Sequence, residues 1–426
     1  MGFKPIFLLK KEQMFAIISL VNNMERIIMH IDVNNAFLSW SAIDLLNKGS
    51  KYDIRNSYAV IGGDEEKRSG IVLAKSTPCK KLGIKTAETI YSAKEKCPAL
   101  RIYPPNFPFY SLMSKKLFKL LSSYTPDIEV ASIDECYLDY GNIKNIYGDE
   151  YEFAKKIQKQ ILDELGFTVN IGIANNKLCA KMASDFSKPY KIHTLYSYEV
   201  KDKMYPLPIE ELFGVGKKTA LKLRNLGIET IGDLANFDPS RLKHIFKNTS
   251  INLINSAKGI NNDLVVSDAW VPKGIGNEIT LPKDISDKDI LLEHLLDITE
   301  NVSLRLRKQK KYVYTVCVTL KTSDFKRRSH QRKLLNATNI TSEIYKVVKE
   351  VFLEMFDDDK VRLIGVRLDN LTDHITYQAS LFDNIEEKKE NSKLDETVDL
   401  IKMKYGVRSI KKASLMDRKE FKNLKD

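Results

Sequence analysis

Two short segments of this 426-residue chain carry the residues best suited to chemistry: Ile31-Asp32-Val33-Asn34-Asn35-Ala36-Phe37 and Ala131-Ser132-Ile133-Asp134-Glu135-Cys136-Tyr137. In each, a carboxylate interrupts or ends an apolar, strand-like run. A hydrophobic strand does not shelter a free carboxylate cheaply, so an acid at a strand end must meet water, a base or a cation. Neither segment contains a Lys or a His. Brought together, Asp32, Asp134 and Glu135 would make a hard-cation site. All-oxygen ligands suit Mg²⁺, and two ions about 3.5–4 Å apart would serve phosphoryl transfer. Solvated turn acids use the same residue types, and spacing alone leaves that alternative open.

The elements that would unite these acids follow from apolar periodicity. The pattern predicts a strand over Ile27–Val33, a long interruption, a helix near Tyr110–Tyr124, strands over Ile128–Ile133 and Cys136–Tyr140, a helix near Tyr151–Leu165 and a strand over Phe167–Ala174. That order is βαββαβ, a ferredoxin-like sheet in an α+β fold. It predicts that the first strand lies beside the strand carrying Asp134 and Glu135. The interruption, about Asp44–Ile102, holds turn signals such as Gly62-Gly63-Asp64 and reads as an inserted subdomain.

A helical region follows Lys188-Pro189. Within it, Phe213-Gly214-Val215-Gly216-Lys217-Lys218-Thr219, then apolar Leu221, Leu223 and Leu226 and Gly227-Ile228, form a helix-hairpin-helix signature. Its two glycines let the backbone approach a phosphate, whose oxygens accept from amides at a helix N-terminus. An ordinary glycine-containing helix turn uses the same residues, and the motif alone does not decide. A linker near Lys258–Trp270 precedes a second α/β unit: strand Gly276–Leu281, helix Asp287–Arg307, strands Tyr312–Lys321 and Ser329–Leu335, helix Thr341–Phe356 and strand Arg362–Leu368. Between its middle strands, Lys321, Lys326, Arg327, Arg328, Arg332 and Lys333 face one acid, Asp324. Such a run is usually a solvated face; on one open sheet it could track a phosphate backbone.

Composition narrows the partners. Lys and Arg number 68 against 56 Asp and Glu, a net charge of +12 that favours a polyanionic partner. With 43% hydrophobic residues the chain can bury a core, which excludes wholesale disorder. Five cysteines without a CxxC pair read as reduced thiols, and six scattered histidines give no support for structural zinc. The apolar run Met14–Val21 is far shorter than the roughly 20 residues of a membrane span. Its flanks lack a secretory cleavage site, so a cytoplasmic protein without membrane association is expected.

In order and spacing, Asp32–Phe37, Ser132–Glu135, Asn176-Lys177-Leu178-Cys179-Ala180-Lys181, Lys188-Pro189 and Gly214–Gly216 resemble the Y-family translesion DNA polymerases. The resemblance runs from about Met24 to Asp369 and includes a closing Arg362–Arg367 strand. It implies low-fidelity, template-directed DNA synthesis past damaged bases, with primer–template DNA and deoxynucleoside triphosphates as partners. It also implies domains: an extension over residues 1–23, a palm over 24–43 and 103–190, fingers over 44–102, a helix-hairpin-helix thumb over 191–259, a linker over 260–270, a little finger over 271–372 and a tail over 373–426. By the same resemblance Asp32, Asp134, Glu135 and the Val33 carbonyl hold two Mg²⁺ ions, and Phe37 is a steric gate against the ribose 2′-hydroxyl. Without that resemblance Phe37 reads equally well as a core aromatic after a strand. Lys181 sits on the triphosphate, faced by Thr77 and Lys80 from the fingers. Gly214, Gly216 and Lys217 clamp the DNA backbone, as do Lys326, Arg327, Arg328 and Arg332 of the little finger.

The chain departs from the family pattern at Thr77 and Lys80, where many relatives carry Tyr and Arg. A lysine keeps the charge but not the bidentate fork. Asn34 stands where a second acid is common, and the Val33 carbonyl is the expected ligand there. The segment Gln378-Ala379-Ser380-Leu381-Phe382-Asp383 resembles the peptide that docks bacterial polymerases on a sliding clamp. Gln378 would bond the rim of a pocket that Leu381 and Phe382 fill. The chain is expected to act as a monomer. Two rivals are a catalytically inactive scaffold that binds DNA or the clamp, and a nucleotide cyclase, because Gly62-Gly63-Asp64-Glu65-Glu66 looks like the cyclic-dinucleotide synthase signature. That motif falls in the insertion and reads as a polar turn.

Overall fold

The structure, a computed structural model, describes residues 26–63, 70–268, 272–374, 385–406 and 409–410. The chain forms two compact units, one running to residue 269 and one from residue 270 onward. In the first, the strands are β1 (Ile28–Val33), β2 (Ala59–Gly62), β3 (Val72–Lys75), β4 (Arg101–Tyr103), β5 (Ile128–Val130), β6 (Glu135–Asp139), β7 (Val169–Ala174) and β8 (Ile192–Thr194). Five of them form one sheet in the order β5-β6-β1-β7-β8. β1 runs antiparallel to both β6 and β7. The first four strands of that order are the ferredoxin-like arrangement the periodicity predicts, with β8 added in parallel at the β7 edge.

Strand alternation decides which side chains meet which layer. Met29, Ile31 and Val33 join a core under the helices Phe107–Ser122 and Glu150–Leu165. Ile28, His30 and Asp32 take the opposite parity, and Ile28 joins the core built with helix Lys177–Asp185. A glycine sets how closely that helix can lie. A Cβ on Gly172 would stand 2.0 Å from the Ala180 carbonyl oxygen and 2.5 Å from the Ser184 nitrogen. Backbone therefore packs on backbone, and the helix carrying Lys181 and Ser184 is pressed onto β7. Asn176 caps its start, accepting from the Cys179 amide at 2.9 Å.

The interruption after β1 opens with a helix, Ala36–Asn47, that the sequence reading does not anticipate. Its buried residues run consecutively through Leu38–Ala42, so it lacks the polar face that makes a periodic stripe. The inserted subdomain is a three-stranded sheet in the order β3-β2-β4. Short helices from about Val200 to Ala257 pack into one core with Ala174, Cys179 and Ala183.

In the second unit, β9 (Gly274–Ile285), β10 (Tyr312–Thr322), β11 (Arg327–Thr338) and β12 (Val361–Thr372) form a sheet in the order β11-β10-β12-β9. The helices Lys288–Lys308 and Thr341–Met355 build its core. A third helix, Ile385–Tyr405, docks through Asp395 and Asp399, which hold the nearly buried Arg307 at 3.1 and 2.6 Å. Among the described residues no helix is long and apolar enough to cross a membrane.

Candidate active site

Register brings the acids together. Asp32 pairs directly with Glu135 across β1 and β6, and the Val33 amide donates to the Asp134 carbonyl at 3.0 Å. Asp32 is 8% exposed, while Asp134 and Glu135 are half-buried. Beyond Val33, the Asn34 amide donates to the Thr168 carbonyl at 3.0 Å, and Asn35 takes a left-handed φ of 48° that turns the chain into helix Ala36–Asn47.

Their charges are answered by lysines. Lys181 Nζ donates to Glu135 Oε2 at 2.8 Å. Lys188 Nζ bonds Asp32 Oδ2 and also reaches Asp185 at 2.8 Å. Burial opposes the charge on both lysines, but their carboxylate partners prevail and raise both pKa values. The approach of His30 is the largest influence on the Glu135 carboxyl and lowers its pKa; burial opposes this, but the Lys181 ammonium adds to the lowering and leaves the group at about 2. Asp134 moves the other way. Burial raises it first, the Asp32 and Glu135 charges add, and the 2.6 Å bond from the Ser132 hydroxyl only partly offsets them.

Among the described residues, no trio of His, Cys, Asp or Glu side chains is drawn to metal-ligand distance. Ammonium groups stand on the carboxylates instead. The donor set nonetheless fits a hard cation. It is all oxygen, and Lys188 Nζ between Asp32 and Asp185 marks a position where positive charge is held. Four carboxylates against two ammonium groups leave an excess of negative charge for an ion to neutralise.

The remaining expected residues sit as follows. Phe37 is half-buried and stacks on Tyr110 with centroids 4.9 Å apart, while the Phe107 ring meets it edge-on at 6.1 Å. Thr77 and Lys80 lie exposed on the short helix Thr77–Lys81, which Ser76 caps. Thr77 lines a cavity of about 550 Å³ together with Asn34, Asn35, Arg55 and Lys81. Lys80 is not among its lining residues; burial and then the Lys80 charge lower the pKa of Lys75 instead. Gly214 adopts a φ of 90°, open only to residues without a Cβ clash. Gly216 caps helix Lys217–Arg224 at an ordinary φ of −81° with nothing within 4 Å of a would-be Cβ, so neither strain nor packing demands glycine there. Lys217 is exposed.

The basic strand divides by parity. Arg332 bonds Glu350 at 2.5 Å and also Glu354, and Arg328 reaches Asp357 at 3.1 Å and Asp359 at 2.9 Å. Glu350 and Glu354 sit on helix Thr341–Met355, so Arg332, and Arg328 two pleats away, face the helical layer. Reading all four basic residues as one DNA-facing row therefore needs correction: alternation sets Arg327 against Arg328 and Arg332, while Lys326 lies in the loop before β11. Lys326 and Arg327 are exposed, each with one acidic partner, Asp324 and Glu278. Gln378, Leu381 and Phe382 lie outside the described residues, as does the extension over residues 1–23. Gly62 ends β2 in the inserted sheet, away from the β5–β6 hairpin that bears Asp134 and Glu135, which removes the ground for a cyclase.

Three polar residues escape the sequence reading. His30 touches Glu135, Ser184 bonds His30, and Asp185 shares Lys188. His30 carried a signal: positions 30, 32 and 34 are the polar members of one strand face.

Comparison with known proteins agrees with this geometry. Residues 31–185 match the impB/mucB/samB family, residues 272–381 its C-terminal domain, and residues 199–228 the IMS family HHH motif. The DNA polymerase IV of Clostridium acetobutylicum is 45% identical over 93% of this chain and 100% of its own length. The DNA polymerase IV 1 of Bacillus subtilis is 34% identical over 93% of this chain and 95% of its own. Among solved structures, a Y-family DNA polymerase chimera, Dbh-Dpo4(243-245)-Dbh, aligns with a TM-score of 0.73 at 27% identity, over 82% of this chain and all of that one. An insertion ternary complex of Dbh DNA polymerase aligns with a TM-score of 0.57 at 27% identity, over 82% of this chain and 100% of that chain.

Proposed function

This chain belongs to the impB/mucB/samB family of Y-family DNA polymerases, and from that premise we propose how its own residues carry out template-directed, low-fidelity extension of a primer past damaged bases. The observation that carries the reading is the register of Asp32 against Glu135 with Asp134 one residue away. Asp32, Asp134, Glu135 and the Val33 carbonyl are the groups that would hold divalent cations, with Mg²⁺ and a count of two favoured by the all-oxygen donor set. Bound there, the ions would neutralise charge on the attacking 3′-oxygen and on the departing pyrophosphate.

The protein's share is positioning and charge. Lys181 and Lys188 already carry their protons and lie on the acids, so an incoming triphosphate offers them anionic partners as the carboxylates turn to cations. Thr77, with Lys80 nearby, would complete the anion contacts from the inserted subdomain, and Lys81 and Arg55 are cations lining the same cavity as Thr77. Phe37, braced by Tyr110 and Phe107, is rigid enough to exclude a 2′-hydroxyl by contact. Gly214, Gly216 and Lys217 would take a DNA phosphate, with Lys326 and Arg327 added from the second unit. The palm, fingers, thumb and little finger over 24–43 with 103–190, 44–102, 191–259 and 271–372 are the proposed domains of a monomer. Gln378–Asp383 is the proposed tether to a sliding clamp, and its deletion is expected to abolish retention on immobilised clamp; unchanged retention would refute the tether.

Primer extension on undamaged and abasic templates with Mg²⁺ tests the whole reading. The parent chain is expected to extend both, Asp134→Ala neither, and Phe37→Ala to accept ribonucleotides more readily. Nothing in the site favours an inactive scaffold, since Asp32 pairs in register with Glu135 and Asp134 is the adjacent residue at that strand's edge. Extension by Asp134→Ala at the parent rate would refute the assignment.

A further inference from the structure

His30 is fully buried, lies two residues before Asp32 on the same strand face, and pairs in register with Tyr137 on one side and Gly172 on the other. Its ring nitrogens meet two different partners. Nδ1 is 2.8 Å from the Ser184 hydroxyl, and Nε2 stands 3.3 Å from Glu135 Oε2 outside hydrogen-bond geometry, so among the described residues this buried nitrogen has no hydrogen-bond partner and the carboxylate is its nearest polar neighbour. A buried ring nitrogen is rarely left without a purpose. We propose that His30 is a positioning residue for Glu135: its unpartnered Nε2 faces Oε2 and closes on it as an Nε2–H donor when the carboxylate engages the reacting centre, so that Oε1 is left to that centre, with Ser184 fixing the required tautomer.

Proton bookkeeping supports this. The Ser184 hydroxyl has one proton and two neighbours, His30 Nδ1 and the Lys181 carbonyl at 2.8 Å. If it gives that proton to the carbonyl, a neutral His30 must carry its own on Nδ1, and a bare Nε2 lone pair then faces a carboxylate. If it turns to Nδ1, Nε2 carries the proton and faces Glu135 as a donor. Only the second arrangement of a neutral ring avoids repulsion, and a fully buried ring favours the neutral form. Lys181 donates to the same Oε2 at 2.8 Å, so two donors face one oxygen. Among the described residues, Oε1 has no hydrogen-bond partner. The Tyr137 ring, 4.8 Å away and tilted by 55°, closes the other side of the imidazole. A carboxylate held by one oxygen presents the other in a fixed direction, and losing such outer partners typically costs about 10–100-fold.

The inference rests on the polymerase reading and is tested on the full chain. Steady-state primer extension gives kcat and the nucleotide KM for the parent, His30→Leu, His30→Gln, His30→Asn and Ser184→Ala, with melting temperatures alongside. The Gln amide reaches the Nε2 position, whereas the Asn amide reaches only that of Nδ1. His30→Leu and His30→Asn are expected to lose about 10–100-fold in kcat with KM within about twofold. His30→Gln is expected to recover most of that loss, and Ser184→Ala to fall between. Equal kcat for the Gln and Asn variants, undiminished kcat in His30→Leu, or losses that simply follow melting temperature would each overturn the inference. If His30→Leu does not fold, the Gln and Asn pair still decides. A parent that extends no primer refutes the polymerase reading itself, whereas an active parent with equal Gln and Asn variants refutes the inference alone.

Discussion

Gly172→Ala tests whether close packing of one helix sets the site. Adding a methyl to a strand glycine usually stabilises a protein slightly, by about 0.5–1 kcal/mol, through loss of unfolded-state freedom. Here the geometry predicts the opposite sign. The new Cβ would stand 2.0 Å from the Ala180 carbonyl oxygen and 2.5 Å from the Ser184 nitrogen, both backbone atoms that no rotamer can move. Restoring ordinary contact requires helix Lys177–Asp185 to retreat by about 1.4 Å, a large strain for a close-packed interior. Overpacking of this kind costs about 1–3 kcal/mol, which in a unit of this size lowers the melting temperature by about 3–10 °C. The same retreat carries Lys181 and Ser184 away from Glu135 and His30, and a misplacement near 1 Å can cost about 100-fold in rate. Thermal unfolding by circular dichroism and single-nucleotide primer extension measure the two effects. A variant that melts within about 1 °C of the parent and keeps kcat within about twofold would refute the claim that this glycine positions the helix.

Two further outcomes follow from charge. Asp134 has a folded pKa raised above its ordinary value, so its ionisation is disfavoured in the native state and stability is lost as pH rises through that window. Asp134→Asn is therefore expected to melt higher than the parent at pH 7 while losing activity, with the gain vanishing toward pH 3; a lower melting temperature at pH 7 would count against the repulsion argument. In the second unit, Arg327→Ala is expected to reduce the slope of log DNA affinity against log salt by about one, while Arg332→Ala leaves that slope unchanged and lowers thermal stability instead. Equal slope changes for the two would refute the assignment by strand face.

What the sequence made legible was the part governed by local rules. Asp32, Asp134 and Glu135 were readable because each breaks an apolar run, and a βαββαβ order has few ways to pair its strands, so register follows. Helix Ala36–Asn47 was hidden because it is buried nearly all round and shows no stripe. Arg328 and Arg332 misled for a related reason. Their charge was read as one block, although the parity of positions 328 and 332 against 327 already assigned them to the face that meets Glu350, Glu354 and Asp357. His30 shows the same lesson inside the site. A lone histidine in an apolar strand looks like a packing residue, yet its even spacing from Asp32 fixed it to the acidic face. Lys188 was legible as a residue but not as a partner, since its bonds to Asp32 and Asp185 arise from a turn that follows helix Lys177–Asp185. Contacts of that kind depend on how near the helix lies to β7. That distance is set by the missing side chain of Gly172, a quantity no periodicity records.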